Sequence, residues 1–118
     1  MSTGANLPKD GDPPFFAELA PDAVLHASIL AAPVAGAEAL RGAIRRIAGL
    51  YSGMTLDFRG AAGQRQLMQY HAGVGDGVTI HAIVVMTRNA GGAIDTVEIG
   101  YYPLAAARLL ANLYQESP

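Results

Sequence analysis

The chain has 118 residues, of which 51% are apolar and only 15% charged, a composition typical of one folded domain rather than of a disordered chain. Its formal net charge is -2, and its eight basic residues are scattered, which argues against a concentrated positive surface for nucleic acid. Cysteine is absent, and this excludes disulfides, thiolate catalysis and sulfur-ligated metal sites.

The N-terminal region predicts neither a signal peptide nor a membrane anchor. Residues 1–14 lack the apolar core of a signal peptide, and no run in the chain reaches the roughly 18 consecutive apolar residues of a membrane span. Because residues 1–14 are rich in Gly, Pro, Asp and Asn, we expect a flexible leader, followed by a single domain over residues 15–118. A cytoplasmic protein without membrane contact is expected.

The first half of the domain predicts two helices and one strand. A short helix is expected over residues 15–19, and Pro21-Asp22 then turns the chain into a candidate strand over residues 23–29. The segment AAPVAG that follows is predicted to be a loop or a short edge strand. From residue 37 to residue 51 apolar residues recur at helical spacing, which predicts a helix that stops around Ser52-Gly53.

The second half of the domain changes to the spacing of strands. Residues 54–59, 64–74, 78–88 and 93–102 are strand-like runs separated by the glycine-rich breaks GAAG, GDG and NAGG, which favour antiparallel hairpins. Residues 104–115 place their larger apolar side chains near one helical face. The chain is therefore predicted to close with an amphipathic helix.

One face of the predicted sheet is consistently apolar. Side chains alternate across a strand, so residues of equal parity share a face. The helices are expected to pack on the apolar face, because an amphipathic helix and a half-apolar sheet bury each other. In the first of the four long runs, Met54, Leu56 and Phe58 form the apolar set, whereas Thr55, Asp57 and Arg59 form the opposite set.

Two segments resemble a known superfamily. They are FFAELAPDAVLHASILAAPVAGAEALRGAIRRI and IDTVEIGYYPLAAARLL, and together with the order of elements they resemble the nuclear transport factor 2-like (NTF2-like) superfamily, especially SnoaL-like proteins and ketosteroid isomerases. The resemblance covers about residues 15–114. It implies an α+β fold with a curved, cone-shaped antiparallel sheet and helices on its concave face, the cystatin-like roll.

The resemblance also implies where isomerase chemistry would lie. Ketosteroid isomerases use a carboxylate base on the first strand and an oxyanion hole made of a tyrosine and a protonated carboxylic acid. The base position falls at Ala27 and the acid position near Val84, and neither side chain can move a proton. The tyrosine comes from a longer first helix than this sequence offers, so we expect no steroid isomerase activity.

The three histidines are predicted to lie on the outer face of the sheet. His26, His71 and His81 all have the parity opposite to the apolar face, which favours exposed or interface histidines. A metal site that joins His71 and His81, with Glu98 or Asp57 as the carboxylate, is the alternative. We predict no metal and no cofactor.

The predicted function is the binding of a small apolar ligand in the cone, without the carboxylate base of the isomerases. Tyr70 and Tyr101 are expected to line the pocket, because a tyrosine has an apolar body and a hydroxyl that can orient a ligand oxygen. The alternative is an enzyme of the polyketide cyclase, isomerase or dehydratase type that uses Tyr and His for proton transfer. The predicted ligand-binding residues are Leu25, Ala27, Tyr70, Val84, Met86, Val97, Ile99 and Tyr101.

The predicted partner is a second copy of the chain. Ile83 and Val85 would be exposed on the outer face, and related proteins often pair there, so we expect a homodimer through this face. If the histidines lie in that interface, lowering the pH through about 6.5 adds like charge and weakens the dimer. The short N-terminus also predicts a cone that is open or plugged by a segment of a partner, with weak binding, and partly covered by Phe15, Phe16 and Leu19.

Overall fold

The computed structural model describes residues 12–117, so most of the predicted leader lies outside the described residues. Within this range a six-stranded sheet packs against two α-helices. A short 3₁₀ helix over Pro14–Glu18 comes first. The strands are β1 (Leu19–Ala27), β2 (Val34–Ala35), β3 (Tyr51–Ala62), β4 (Arg65–Val74), β5 (Val78–Arg88) and β6 (Ile94–Tyr102), and the helices are α1 (Ala37–Gly49) and α2 (Leu104–Glu116).

The sheet is curved and mixed, in the order β2-β1-β6-β5-β4-β3. The hairpins β3–β4, β4–β5 and β5–β6 are antiparallel, as the glycine-rich breaks predicted. Strand β1 also pairs with β2 in the antiparallel sense, but it runs parallel to β6. The structure therefore confirms the α+β class and adds one parallel pairing that the sequence did not predict.

Strand β1 begins earlier than predicted. The strand includes Leu19 and continues through Pro21 and Asp22, where the sequence predicted a turn. Leu19 and Ala20 are buried, so the chain gains apolar burial by joining the sheet at once. The pairing of β1 with β6 is irregular between Leu19 and Val24, and such an irregularity accommodates a proline that cannot donate to the ladder.

Both helices lie against the apolar face of the sheet, as predicted, and we call this face the concave face and the opposite one the outer face. Leu40 and Ile47 of α1 and Leu110 of α2 belong to the same buried core as the concave-face residues of β1, β4, β5 and β6. Helix α1 ends at Gly49, two residues before the predicted end, and Tyr51 already pairs with Val74 in the sheet. Tyr51 is therefore a strand residue.

Strand β3 contains two register shifts that overturn its predicted alternation. One lies between Ser52 and Met54, and the other between Leu56 and Phe58. After the second shift Phe58 pairs with Gln69, whereas the next residue, Arg59, pairs with Met68. Phe58 therefore lies on the outer face and Arg59 on the concave face, opposite to the predicted assignment, because each bulge adds one unpaired residue and reverses the parity that follows.

No helix in residues 12–117 is long and apolar enough to cross a membrane.

Candidate functional site

A cavity of about 250 Å³ lies between the concave face, helix α1 and the N-terminal segment. Ile44, Ile47 and Ala48 of α1 form one wall. Most of the remaining lining is also apolar and comes from the strands. The exceptions among the described lining residues are three tyrosines and one arginine, Tyr51, Tyr70, Tyr101 and Arg59.

Two of the three tyrosines are joined directly. The hydroxyl oxygens of Tyr51 and Tyr70 are 2.7 Å apart, a hydrogen bond in which either can donate. Their rings meet edge to face with centroids 5.8 Å apart. The two strands create this pair, because Tyr51 opens β3 and Tyr70 lies on the concave face of neighbouring β4.

The hydroxyl of Tyr101 is buried and has no hydrogen-bond partner among the described residues. Tyr51 and Tyr70 are close enough to influence its ionisation, yet neither hydroxyl forms a well-aligned hydrogen bond with it. A buried polar group without a partner costs about 1 to 3 kcal/mol, so folded proteins contain few of them. Tyr101 therefore brings an unused hydrogen-bonding group to an apolar cavity.

All three hydroxyls are held in their neutral form. Burial raises the pKa of Tyr51, Tyr70 and Tyr101 far above the ordinary value for tyrosine, because an apolar surrounding disfavours the phenolate. The second cause, the electrostatic interaction with one neighbouring tyrosine, raises the pKa of each further. At neutral pH these groups can donate hydrogen bonds.

Arg59 lines the same cavity and carries its only charge among the described lining residues. The side chain is exposed, and it also lines an adjoining cavity of about 160 Å³. Glu18 lies in that adjoining cavity, but the carboxylate is bound by Arg88 at 2.6 Å. The guanidinium of Arg59 therefore stands at the cavity without a carboxylate partner among residues 12–117.

The N-terminal segment closes one side of the cavity. Phe15 and the two prolines before it line the cavity together with Val84 and Tyr101. Two arginines of α1 hold this segment: Arg45 donates to the Asp12 carboxylate at 3.1 Å and 3.2 Å, and Arg41 donates to the carbonyl of Phe16 at 3.0 Å. Phe15 thus covers the cavity as expected, whereas Phe16 is buried in the core.

The structure divides the predicted ligand-binding residues into three groups. Tyr70, Val84, Ile99 and Tyr101 line the cavity. Met86 lines only the adjoining smaller cavity. Three residues predicted for the site line neither cavity: Leu25 and Val97 are fully buried in the core, and Ala27 contributes to a groove on the outer face.

Sequence reasoning missed Tyr51 and Arg59. Tyr51 fitted the helical spacing of α1, and Arg59 had the parity of the outer face. Both side chains reach the concave face because β3 contains two bulges. Gly53, which has φ +77°, lies in the first bulge, and a glycine inside a strand pattern is the signal that could have indicated it.

The histidines lie on the outer face, as predicted, so the sheet separates them from the tyrosines. His71 contacts the Asp57 carboxylate through Nδ1 at 2.9 Å. His81 stacks on the ring of Tyr102 with centroids 4.8 Å apart. Among the described residues no group of three potential ligands is close enough together to hold a metal ion.

Comparison with solved structures identifies the fold. A protein with a cystatin-like fold from Silicibacter pomeroyi DSS-3 superposes with a TM-score of 0.79 at 17% identity, over 86% of this chain and 71% of that chain. A steroid delta-isomerase from Pseudomonas aeruginosa gives 0.77 at 20% identity, over 85% and 74%. A putative SnoaL-like polyketide cyclase from Jannaschia sp. CCS1 gives 0.65 at 14% identity, over 88% and 78%.

The chain therefore has the NTF2-like, SnoaL-like fold that the resemblance predicted, since further matches are also NTF2-like proteins. At these sequence identities the similarity concerns the fold alone, and a fold of this kind does not determine a function. No protein-family model matches the sequence, and no curated protein matches it.

Proposed function

We propose that this protein, which has the NTF2-like fold, binds a small and mostly apolar molecule in the cavity and donates a hydrogen bond from Tyr101 to an oxygen atom of that ligand. The observation that carries the proposal is the Tyr101 hydroxyl, which is buried, lines an apolar cavity and has no partner among the described residues. A ligand oxygen would supply the missing partner.

The size of the cavity limits the ligand. Pockets for small molecules usually have volumes of about 300 to 1,000 Å³, and this cavity of about 250 Å³ lies just below that range. A molecule of one or two rings fits such a volume. The apolar walls favour an apolar ring system, and the few hydroxyls would fix its orientation.

The test compares 2-naphthol with naphthalene, which has the same rings but no oxygen. We expect wild-type protein to bind 2-naphthol more tightly than naphthalene. Tyr101→Phe should weaken the binding of 2-naphthol by about threefold to tenfold, the range that one net hydrogen bond contributes. Binding of naphthalene should stay unchanged in the variant, because the aromatic body of the side chain remains. Isothermal titration calorimetry measures all four constants.

Tyr102→Phe provides the matched control. The residue is adjacent in sequence but exposed, and its ring stacks on His81 at the outer face. Removing this hydroxyl should leave both binding constants unchanged. Equal binding of 2-naphthol by wild type and Tyr101→Phe would refute the proposed hydrogen bond.

An enzymatic role is the second candidate, and the neutral tyrosines favour it as well. Buried hydroxyls that donate hydrogen bonds can stabilise a negative oxygen that develops in a transition state. The described lining residues of the cavity include no Asp, Glu or His, so a proton acceptor would have to come from elsewhere. Deuterium exchange into 2-tetralone, followed by NMR, tests this role, and a rate that falls in Tyr101→Phe but not in Tyr102→Phe would support it.

A further inference from the structure

We propose that the ligand is an organic carboxylate and that Arg59 binds its charged group at the exposed side of the cavity. This inference rests on the proposed function, because it takes the same cavity as the binding site. It adds a second polar contact to the hydrogen bond of Tyr101. The ligand would then carry an oxygen near Tyr101, an apolar ring system and a carboxylate.

The second bulge of β3 places Arg59 at the cavity. A regular strand would pair Arg59 with an outer-face residue, on the side where Thr55 and Asp57 were predicted. In the structure Arg59 pairs with Met68, whose side chain lines the same cavity. Bulges often occur beside binding sites, where they redirect a side chain. The positive charge at this cavity therefore depends on the second bulge of β3.

The charge of Arg59 is not neutralised by the described residues. Two other arginines have carboxylate partners, since Arg45 binds Asp12 and Arg88 binds Glu18. The Arg88 contact matters most here, because Glu18 is the acidic residue beside the adjoining cavity. The region near Arg59 consequently carries a positive charge that an anionic ligand can satisfy.

The surroundings of Arg59 suit a carboxylate attached to an apolar body. Leu56 and Met68 line the cavity beside it, and Met54 continues the apolar surface along β3. A guanidinium presents a planar fork of donors that matches a carboxylate with two parallel hydrogen bonds. A ligand with an apolar ring system and a carboxylate would satisfy both kinds of surface at once.

The experiment measures binding of 2-naphthol and 6-hydroxy-2-naphthoate to four proteins by calorimetry: wild type, Arg59→Gln, Arg59→Lys and Arg65→Gln. Arg65→Gln removes the same charge from the outer face and serves as the matched control. We expect Arg59→Gln to weaken binding of the naphthoate about fivefold. Arg59→Lys should restore part of that loss. Binding of 2-naphthol should change less than about twofold in every variant, because this probe has no carboxylate, and the modest loss for the naphthoate is what a charge contact at an exposed site contributes.

Salt adds a readout that a purely structural role would not move. Raising the NaCl concentration from about 0.05 to 0.5 M should weaken binding of the naphthoate to the wild-type protein but not to Arg59→Gln, because salt screens exposed charges. Naphthoate binding that is equal in wild type and Arg59→Gln would overturn the inference. If 2-naphthol still binds in a Tyr101-dependent way, the proposed function survives that result. If binding of the naphthoate depends on Arg59 but Tyr101→Phe leaves ligand binding unchanged, the carboxylate site is supported and the hydrogen bond is refuted. If neither probe binds, both proposals are overturned.

Discussion

The tyrosine side chains show how burial sets the chemistry of single residues. Tyr51 and Tyr70 satisfy each other with a hydrogen bond of 2.7 Å, whereas the hydroxyl of Tyr101 has no partner among the described residues. A tyrosine is already neutral at neutral pH, and burial, which raises the pKa of all three, keeps them neutral donors into the alkaline range as well. The sequence identified Tyr70 and Tyr101 by parity, but parity alone cannot distinguish a pocket tyrosine from a core tyrosine.

The raised pKa values predict a loss of stability at alkaline pH. An acid whose pKa is higher in the folded state releases its proton more readily in the unfolded chain. The stability should therefore be complete below the ordinary tyrosine pKa of about 10 and should decrease as the pH rises above it. We expect the free energy of unfolding, measured with urea from pH 8 to pH 11, to decrease along this range.

Two variants check that the buried hydroxyls cause the decrease. Tyr101→Phe should reduce the slope of stability against pH above about 10, and Tyr102→Phe, which changes an exposed residue, should reduce it less. Absorbance of tyrosinate should show that the buried Tyr70 and Tyr101 and the partly buried Tyr51, three of the five tyrosines in the chain, ionise only as the protein unfolds. Complete ionisation of all five in the folded protein would contradict this account.

At the level of elements, the regular parts of the chain were predictable and the irregular strand was not. Helices α1 and α2 and strands β4, β5 and β6 follow one period throughout, so their apolar faces could be assigned correctly. Strand β3 changes parity twice, and this moved Tyr51 and Arg59 into the site and Phe58 out of it. The parallel pairing of β1 with β6 was also missed, because a local pattern does not identify a partner distant in sequence.

Replacing glycine by alanine should have opposite effects on stability in the first bulge of β3 and in helix α1. Gly53 has φ +77°, a conformation that strains a residue with a Cβ atom, so Gly53→Ala should lower the free energy of unfolding by about 1 to 2 kcal/mol. Gly42 lies within α1, where an added Cβ would meet nothing within 4 Å. Gly42→Ala should raise the free energy of unfolding by about 1 kcal/mol.

Urea denaturation of both variants measures the two changes. If Gly53→Ala also shifts the strand, Tyr51 and Met54 should move relative to each other, and 2-naphthol binding should weaken in this variant but not in Gly42→Ala. A Gly53→Ala protein as stable as wild type would show that the positive φ is not required in solution.

The whole molecule places two different surfaces on the two sides of one sheet. The concave face carries the cavity and its tyrosines. The outer face carries Ile83 and Val85, both half-buried, beside an open groove of about 480 Å³ that also includes His26 and Glu98. Phe58, which the second bulge turned outward, adds an aromatic ring that is 48% exposed. This face is more apolar than parity predicted, because Phe58 was assigned to the other side.

We expect this outer face to pair with a second copy of the chain. Stable interfaces bury about 800 Å² on each partner around an apolar centre, and Ile83, Val85 and Phe58 would supply that centre. Light scattering at micromolar concentration should give twice the mass of the chain.

Two variants test this interface. Val85→Lys should give the mass of one chain, because it places a charge in the middle of the contact. Leu104→Lys, which changes a residue 65% exposed at the start of α2, should leave the dimer intact. Because the cavity lies on the opposite side of the sheet, the monomeric Val85→Lys variant should still bind 2-naphthol, and a wild-type protein that is monomeric under these conditions would refute the pairing.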